Sequence, residues 1–133
     1  MIIDSSAIVA TIMGEPSAAA LGKAIGSAPV CRIGAPTLVE TTLVLVHKEG
    51  PRGKALLAAF LQQKPFDVLS FGDAHWRAAQ AAFTRFGKGR HPAGLNFGDC
   101  LTYATAFVAG EPLLCVGDDF PQTDLPLVEL KDS

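Results

Sequence analysis

The chain has 133 residues, 49% hydrophobic and 18% charged, with 13 Asp and Glu against 11 Lys and Arg for a formal charge of -2. Its length predicts one compact domain over residues 1–133, and its mean hydropathy of +0.31 excludes a disordered chain, because enough apolar surface is available to offset the entropy of ordering. Near-neutrality argues against nucleic-acid binding through a bulk positive field and leaves room only for a local basic site.

In chain order, a strand is expected over 1–4, helices over 6–13 and 16–27, a strand over 30–33, helices over 36–48 and 52–63, and a strand over 66–69. A helix over 73–86, an irregular stretch over 87–96, a helix over 98–109, a strand over 113–116 and a last short strand over 127–129 complete the chain. The strands are brief apolar or β-branched runs between breakers, and Pro36, Gly50 and Pro51 punctuate the middle helices. This alternation predicts an α/β fold, a short parallel β-sheet sandwiched by α-helices, with the strand over 66–69 lying centrally. The irregular stretch is rich in Gly and basic residues, the composition of a functional or mobile loop.

No stretch approaches the ~18 apolar residues of a membrane span. Asp4 stands where a secretory signal would carry basic residues, so a soluble, cytoplasmic protein is expected. Cys31, Cys100 and Cys115 form no C-x-x-C pair and sit among apolar neighbours, which predicts buried free thiols rather than a disulfide frame or a zinc site. A G-x-S-x-G elbow, a Walker loop and a G-x-G-x-x-G turn are all missing, which disfavours nucleophilic and nucleotide-dependent chemistry. His47 and His75 read as packing or surface residues, and Trp76 with the Phe residues reads as core.

In open parallel sheets, sites form at the C-terminal ends of the strands, and carboxylates recur there. Asp4 closes the first strand, and Asp118 and Asp119 follow the strand over 113–116 after a single Gly. Taken singly, Asp4 could be a helix N-cap and the Asp pair a solvated turn. Glu40 shares a helix face with Leu43 and Val44, so an acid on a buried apolar stripe is expected, with a metal or an ion-pair partner such as Arg32 to compensate it. Asp99 opens an otherwise apolar helix, where an acid also suits the helix dipole. Carboxylates converging on one cleft without clustered His or Cys select Mg²⁺ or Mn²⁺ over zinc, and such an ion suits phosphodiester hydrolysis. Arg85, Lys88, Arg90 and His91 precede Asp99 and are candidates for holding substrate phosphates, with an ordinary solvated loop as the competing reading.

Met1-Ile2-Ile3-Asp4-Ser5-Ser6-Ala7, the helix with Glu40, Asn96-Phe97-Gly98-Asp99-Cys100 and Gly117-Asp118-Asp119-Phe120 together resemble a PIN-domain ribonuclease of the VapC toxin type. The resemblance runs from Asp4 to Phe120 and implies a PIN-like domain in which Asp4 and Asp99 bind Mg²⁺, or Mn²⁺ in its place, while Glu40 and a C-terminal acid complete the catalytic set. It implies that Ser6 is the small polar neighbour and that Asn96 supports the site. Gly117 stands where many members carry Asp or Asn; Asp119, before Phe120, is the preferred match for the fourth acid and Asp118 the alternative. The resemblance further implies the toxin of a type II toxin–antitoxin pair, a Mg²⁺-dependent endoribonuclease that cleaves tRNA or rRNA and is inhibited by a cognate VapB-type antitoxin. A homodimer is expected as well, because so apolar a small domain should leave apolar surface to be covered.

A non-catalytic PIN-fold module that uses its acidic cleft for a basic partner segment is the alternative function. A receiver-type or phosphatase domain is disfavoured because Ser70 and Phe71, not an acid, follow the strand over 66–69. With Asp4, Glu40, Asp99 and Asp119 assigned to one site, nine acids remain against eleven Lys and Arg. Near-neutrality then describes an acidic cleft with a modestly basic rim.

Overall fold

Strands β1 (Ile2–Ile3), β2 (Cys31–Gly34), β3 (Phe66–Leu69) and β4 (Leu113–Leu114) form an all-parallel sheet in the order β3-β2-β1-β4, in a computed structural model that describes residues 1–131. Helices α1 (Ser5–Ile12), α2 (Ala18–Ser27), α3 (Ala35–Glu49), α4 (Arg52–Leu61), α5 (Asp73–Phe86) and α6 (Phe97–Ala109) connect the strands. Side chains alternate across a strand, so adjacent residues of β1 and β4 feed opposite faces of the sheet. Ile3 and Leu114 join Ile8, Leu21, Ile33, Leu45 and Phe60 in the core beneath α1 to α4. Ile2 and Leu113 join Ala82, Phe86, Leu95, Tyr103 and Phe120 in the core beneath α5 and α6. The expected sandwich is therefore present, and α4 reaches α3 closely because position 53 carries no side chain: a Cβ on Gly53 would stand 2.6 Å from Leu45 O.

Several expectations need correction. β3 is an edge strand, with Asp67 and Val68 exposed, because β1 takes the inner position beside β2 and β4. The strand expected over 127–129 is reduced to an isolated bridge between Leu113 and Leu127. The stretch over 87–96 is tied back on itself by Lys88 N–H to Leu95 O and Leu95 N–H to Phe86 O, both 2.9 Å, and it buries Ala93 and Leu95. Trp76 is 45% exposed rather than core, its indole donating to Asp73, and Phe83, Phe97 and Phe107 are also exposed. The three cysteines are free as expected, with Cys115 only half-buried. Among the described residues no helix is long and apolar enough to cross a membrane.

Charges are paired at the N-terminal end of the strands. The Met1 amine donates to Glu111 Oε1 at 2.9 Å, Arg32 donates to Glu111 Oε2, and Arg32 also faces Asp67 across the β2–β3 register. Burial alone would raise the Glu111 pKa, but the Met1 amine and then the Arg32 guanidinium outweigh it and hold the carboxyl below its usual value. Arg32 is thus a partner of Glu111 and Asp67, not of Glu40.

Candidate active site

Asp4 leaves β1 in an extended conformation and caps α1, its Oδ2 accepting from the Ser6 N–H at 3.1 Å and from Ser6 Oγ at 2.6 Å. The same Ser6 hydroxyl accepts from the Val116 N–H at 3.0 Å, which ties the end of β1 to the chain leaving β4. Asp4 is only 4% exposed, and no Lys or Arg pairs with it among the described residues. The cap reading and the site reading of this residue hold together, since capping occupies one oxygen.

Glu40 projects from the second turn of α3, with Oε1 accepting from Ser5 Oγ at 3.0 Å. The expected buried stripe around it is only partly buried: Val44 packs against the core beneath α1 to α4, and Leu43 does not. Leu43 is 66% and Val39 61% exposed, while Thr37, Thr41 and Leu45 face the core. The apolar residues instead line an open groove of about 360 Å³ that Pro36, Val39, Leu43, Phe97 and Leu101 share with Glu40. Partial burial raises the Glu40 pKa and the nearby Asp4 charge adds to this, against the opposing hydrogen bond from Ser5.

Asp99 enters at the first turn of α6 through a reciprocal capping box. Asn96 Oδ1 accepts from the Asp99 N–H at 2.9 Å, and Asp99 Oδ2 accepts from the Asn96 N–H at 3.1 Å. Burial lifts the Asp99 pKa from 3.8 to about 6; the Asn96 hydrogen bond opposes this, while the charges of Asp4, Asp119 and Glu40 reinforce it. Asp119, exposed at the start of the short 3-10 turn Phe120–Gln122, is therefore the member of the Asp pair whose charge reaches Asp99. The Asp118 side chain is exposed, and its backbone carbonyl accepts from Gln122 Nε2 at 2.9 Å.

The donor chemistry suits a hard divalent cation. Asp4 and Asp99 each have one oxygen with no protein donor, and no Lys or Arg offsets these acids among the described residues. Cys115, just after β4, is pushed up to about 12 by burial and by the charges of Asp4 and Asp99, which favours the neutral thiol. Among the described residues, no three His, Cys, Asp or Glu side chains converge closely enough to enclose an ion.

The basic residues are less uniform than the sequence suggests. Arg85 pairs with Asp124 at 3.2 Å and lies over Phe86, and Arg90 lies over Phe83. The His91 ring packs edge-on against Phe86, and its Nδ1 accepts from the Ala93 N–H. The Lys88 side chain is exposed and makes no hydrogen bond or ion pair among the described residues. Sequence reasoning passed over Ser5, the hydrogen-bond donor to Glu40, and Tyr103, whose hydroxyl donates to Asp124 Oδ1 at 2.6 Å and fastens the segment after Asp119 to α6. Tyr103 sits one turn after Asp99 on the same helix and so was within reach of a helical-face argument.

A family model described as "PIN domain" matches residues 1–125. The chain is 47% identical over 126 residues to Ribonuclease VapC36 of Mycobacterium tuberculosis, covering 94% of this chain and 91% of the relative. It is 39% identical to Ribonuclease VapC of Mycolicibacterium smegmatis, covering 96% and 99%. Among solved structures, its fold is similar to that of Mycobacterium tuberculosis VapC20, described as a Sarcin-Ricin loop cleaving toxin, with TM-score 0.76, 18% identity and coverage of 96% and 97%. It is also similar to a structure of VapBC2 from Rickettsia felis bound to a promoter DNA fragment, with TM-score 0.75, 14% identity and coverage of 98% on both sides.

Proposed function

The chain belongs to the PIN-domain family and within it to the VapC ribonucleases, and from that premise we propose that it is a Mg²⁺-dependent endoribonuclease, the toxin of a VapBC-type pair. The observation that carries the reading is the set of acids at the C-terminal end of β1, on α3 and α6 and at the 3-10 turn after β4, with Asp99 raised to about 6 and, among the described residues, no basic side chain paired with Asp4, Glu40, Asp99 or Asp119.

Asp4 and Asp99 would hold the ion through the oxygens that their capping bonds leave open. A divalent ion there supplies charge to a phosphoryl oxygen and makes water easier to deprotonate. Glu40, with its pKa shifted toward neutrality, is suited to take a proton from the attacking water. Asp119 is exposed and its charge acts on Asp99, so it would help hold the cation. Lys88 and Arg90 are the exposed cations of the 87–96 segment and are the better candidates for RNA phosphates. In this reading Arg85 and His91 contribute less, because Arg85 is ion-paired with Asp124 and His91 is half-buried against Phe86.

The substrate is RNA, with tRNA or rRNA the expected class, and the inhibitor is a VapB-type antitoxin. The apolar groove beside Glu40, rimmed by Phe97 at 80% exposure, supports a protein partner in contact with the acidic site, and the further exposed apolar residues support a homodimer. The test is cleavage of labelled RNA by purified protein with Mg²⁺, with chelator and with Asp99→Asn, paired with growth on expression. Cleavage that stops in chelator and in the variant, together with growth arrest by wild type alone, supports the reading. Metal binding without turnover would favour a binding module instead.

A further inference from the structure

The carboxylate of Glu40 is held on two sides. On one side Ser5 Oγ donates to Oε1 at 3.0 Å. On the other lies Gly98, in the first turn of α6 immediately before Asp99. A Cβ on Gly98 would overlap Glu40 Oε2 and stand 2.6 Å from Glu40 Cδ and 3.1 Å from Oε1. The Glu40 head thus fills the volume that any other residue at position 98 would claim. No left-handed backbone requires glycine here, since Gly98 lies within the helix and is not among the positive-φ glycines. Alanine would be the better helix former at such a position, so local helix stability does not account for the glycine.

We propose that Gly98 and Ser5 are positioning residues that seat the Glu40 carboxylate beside Asp99, Gly98 by withholding a side chain and Ser5 by donating its hydroxyl. The consequence for RNA cleavage rests on the function proposed above, whereas the seat itself does not. α3 and α6 are far apart in the chain, and the missing side chain lets their two acids share one end of the sheet. Gly98→Ala leaves both carboxylates in the protein and changes only where Glu40 can lie. A displacement of about 1 Å at a reacting centre can cost on the order of 10²-fold in rate.

The test uses Gly98→Ala, Glu40→Ala and their double variant in the full chain, with crystal structures of the metal-free proteins, Mn²⁺ binding by calorimetry and RNA cleavage kinetics. Gly98→Ala should fold, show Glu40 moved beyond hydrogen-bond reach of Ser5, bind Mn²⁺ more weakly and lose roughly tenfold or more in kcat with KM little changed. Because the loss acts through Glu40, the double variant should be no worse than Glu40→Ala alone. Ser5→Ala should lower kcat by less, and Ser5→Thr, which keeps the hydroxyl, should restore it. An unmoved Glu40 in Gly98→Ala, or losses that multiply in the double variant, would overturn the proposal. If wild type cleaves no RNA, the proposed function fails, and the position of Glu40 in the Gly98→Ala crystal still decides the seat.

Discussion

At the N-terminal end of the sheet, Glu111 lies between the Met1 amine and Arg32, and its pKa falls despite burial. At the C-terminal end, Asp4, Glu40 and Asp99 have no cation within ion-pair distance among the described residues, and the pKa values of Glu40 and Asp99 rise. The same side-chain chemistry therefore supports the fold at one end and burdens it at the other. Perturbed acids without a cationic partner are the pattern common at functional sites, and in the function proposed here a cation from outside the chain is their complement.

The largest expected effect comes from breaking the strained end. Asp99→Asn should lower RNA cleavage by about 10²–10⁴-fold, while the metal-free variant melts no lower than wild type at pH 7, because a half-buried charge and its repulsions are removed. Loss of activity with loss of the fold would speak against this contrast. Breaking the paired end should do the reverse. Glu111→Ala, which deprives both the Met1 amine and Arg32 of a partner, should cost about 1–2 kcal/mol of stability in chemical denaturation and leave kcat unchanged. Arg32→Ala should cost less, on the order of 1 kcal/mol or below, because that side chain is 37% exposed.

Acidity sharpens the same contrast. The raised pKa values of Asp99 and Glu40 favour the folded state when these groups are protonated, and that contribution is lost as pH rises, for Asp99 between 3.8 and about 6. The lowered values of Glu111 and Asp124 contribute above their ordinary range and are lost as pH falls. In melting curves of metal-free protein across pH, Asp99→Asn should flatten the decline on the neutral side, and Glu111→Ala the decline on the acid side. Parallel shifts without a change of shape would contradict the assignment.

Much of this was legible in the residues. The limits of α5 and β3 coincide with their breakers, and Asp4 stands at the end of β1 and Asp99 at the start of α6 as the pattern implies, whereas β4 ends at Leu114, short of the expected strand over 113–116 and well before Asp118 and Asp119. The position of β3 in the sheet was not legible, because strand order depends on which faces the crossovers cover and not on the strand's own four residues. The buried side of α3 was misread for a different reason. Thr37 and Thr41 pass as core because Thr41 Oγ1 donates back to Thr37 O at 2.7 Å and Thr37 Oγ1 meets Thr102 Oγ1 at 3.4 Å, while Val39 and Leu43 face the groove. A pattern that equates apolar with inside misplaces these residues, although Leu38, Val44 and Leu45 of the same helix do pack in the core. Ser5 and Gly98 escaped notice because one is defined by a partner 35 residues away and the other by the side chain it lacks.

The most direct measurement is a calorimetric titration of Mg²⁺ into metal-free wild type and Asp99→Asn at pH 7, with melting temperature followed in parallel. A carboxylate metal site requires saturable binding to wild type, about 2.7 kcal/mol of added stability at 100 times the dissociation constant, and neither effect in the variant. Equal binding to both proteins, or no binding to wild type, would contradict it.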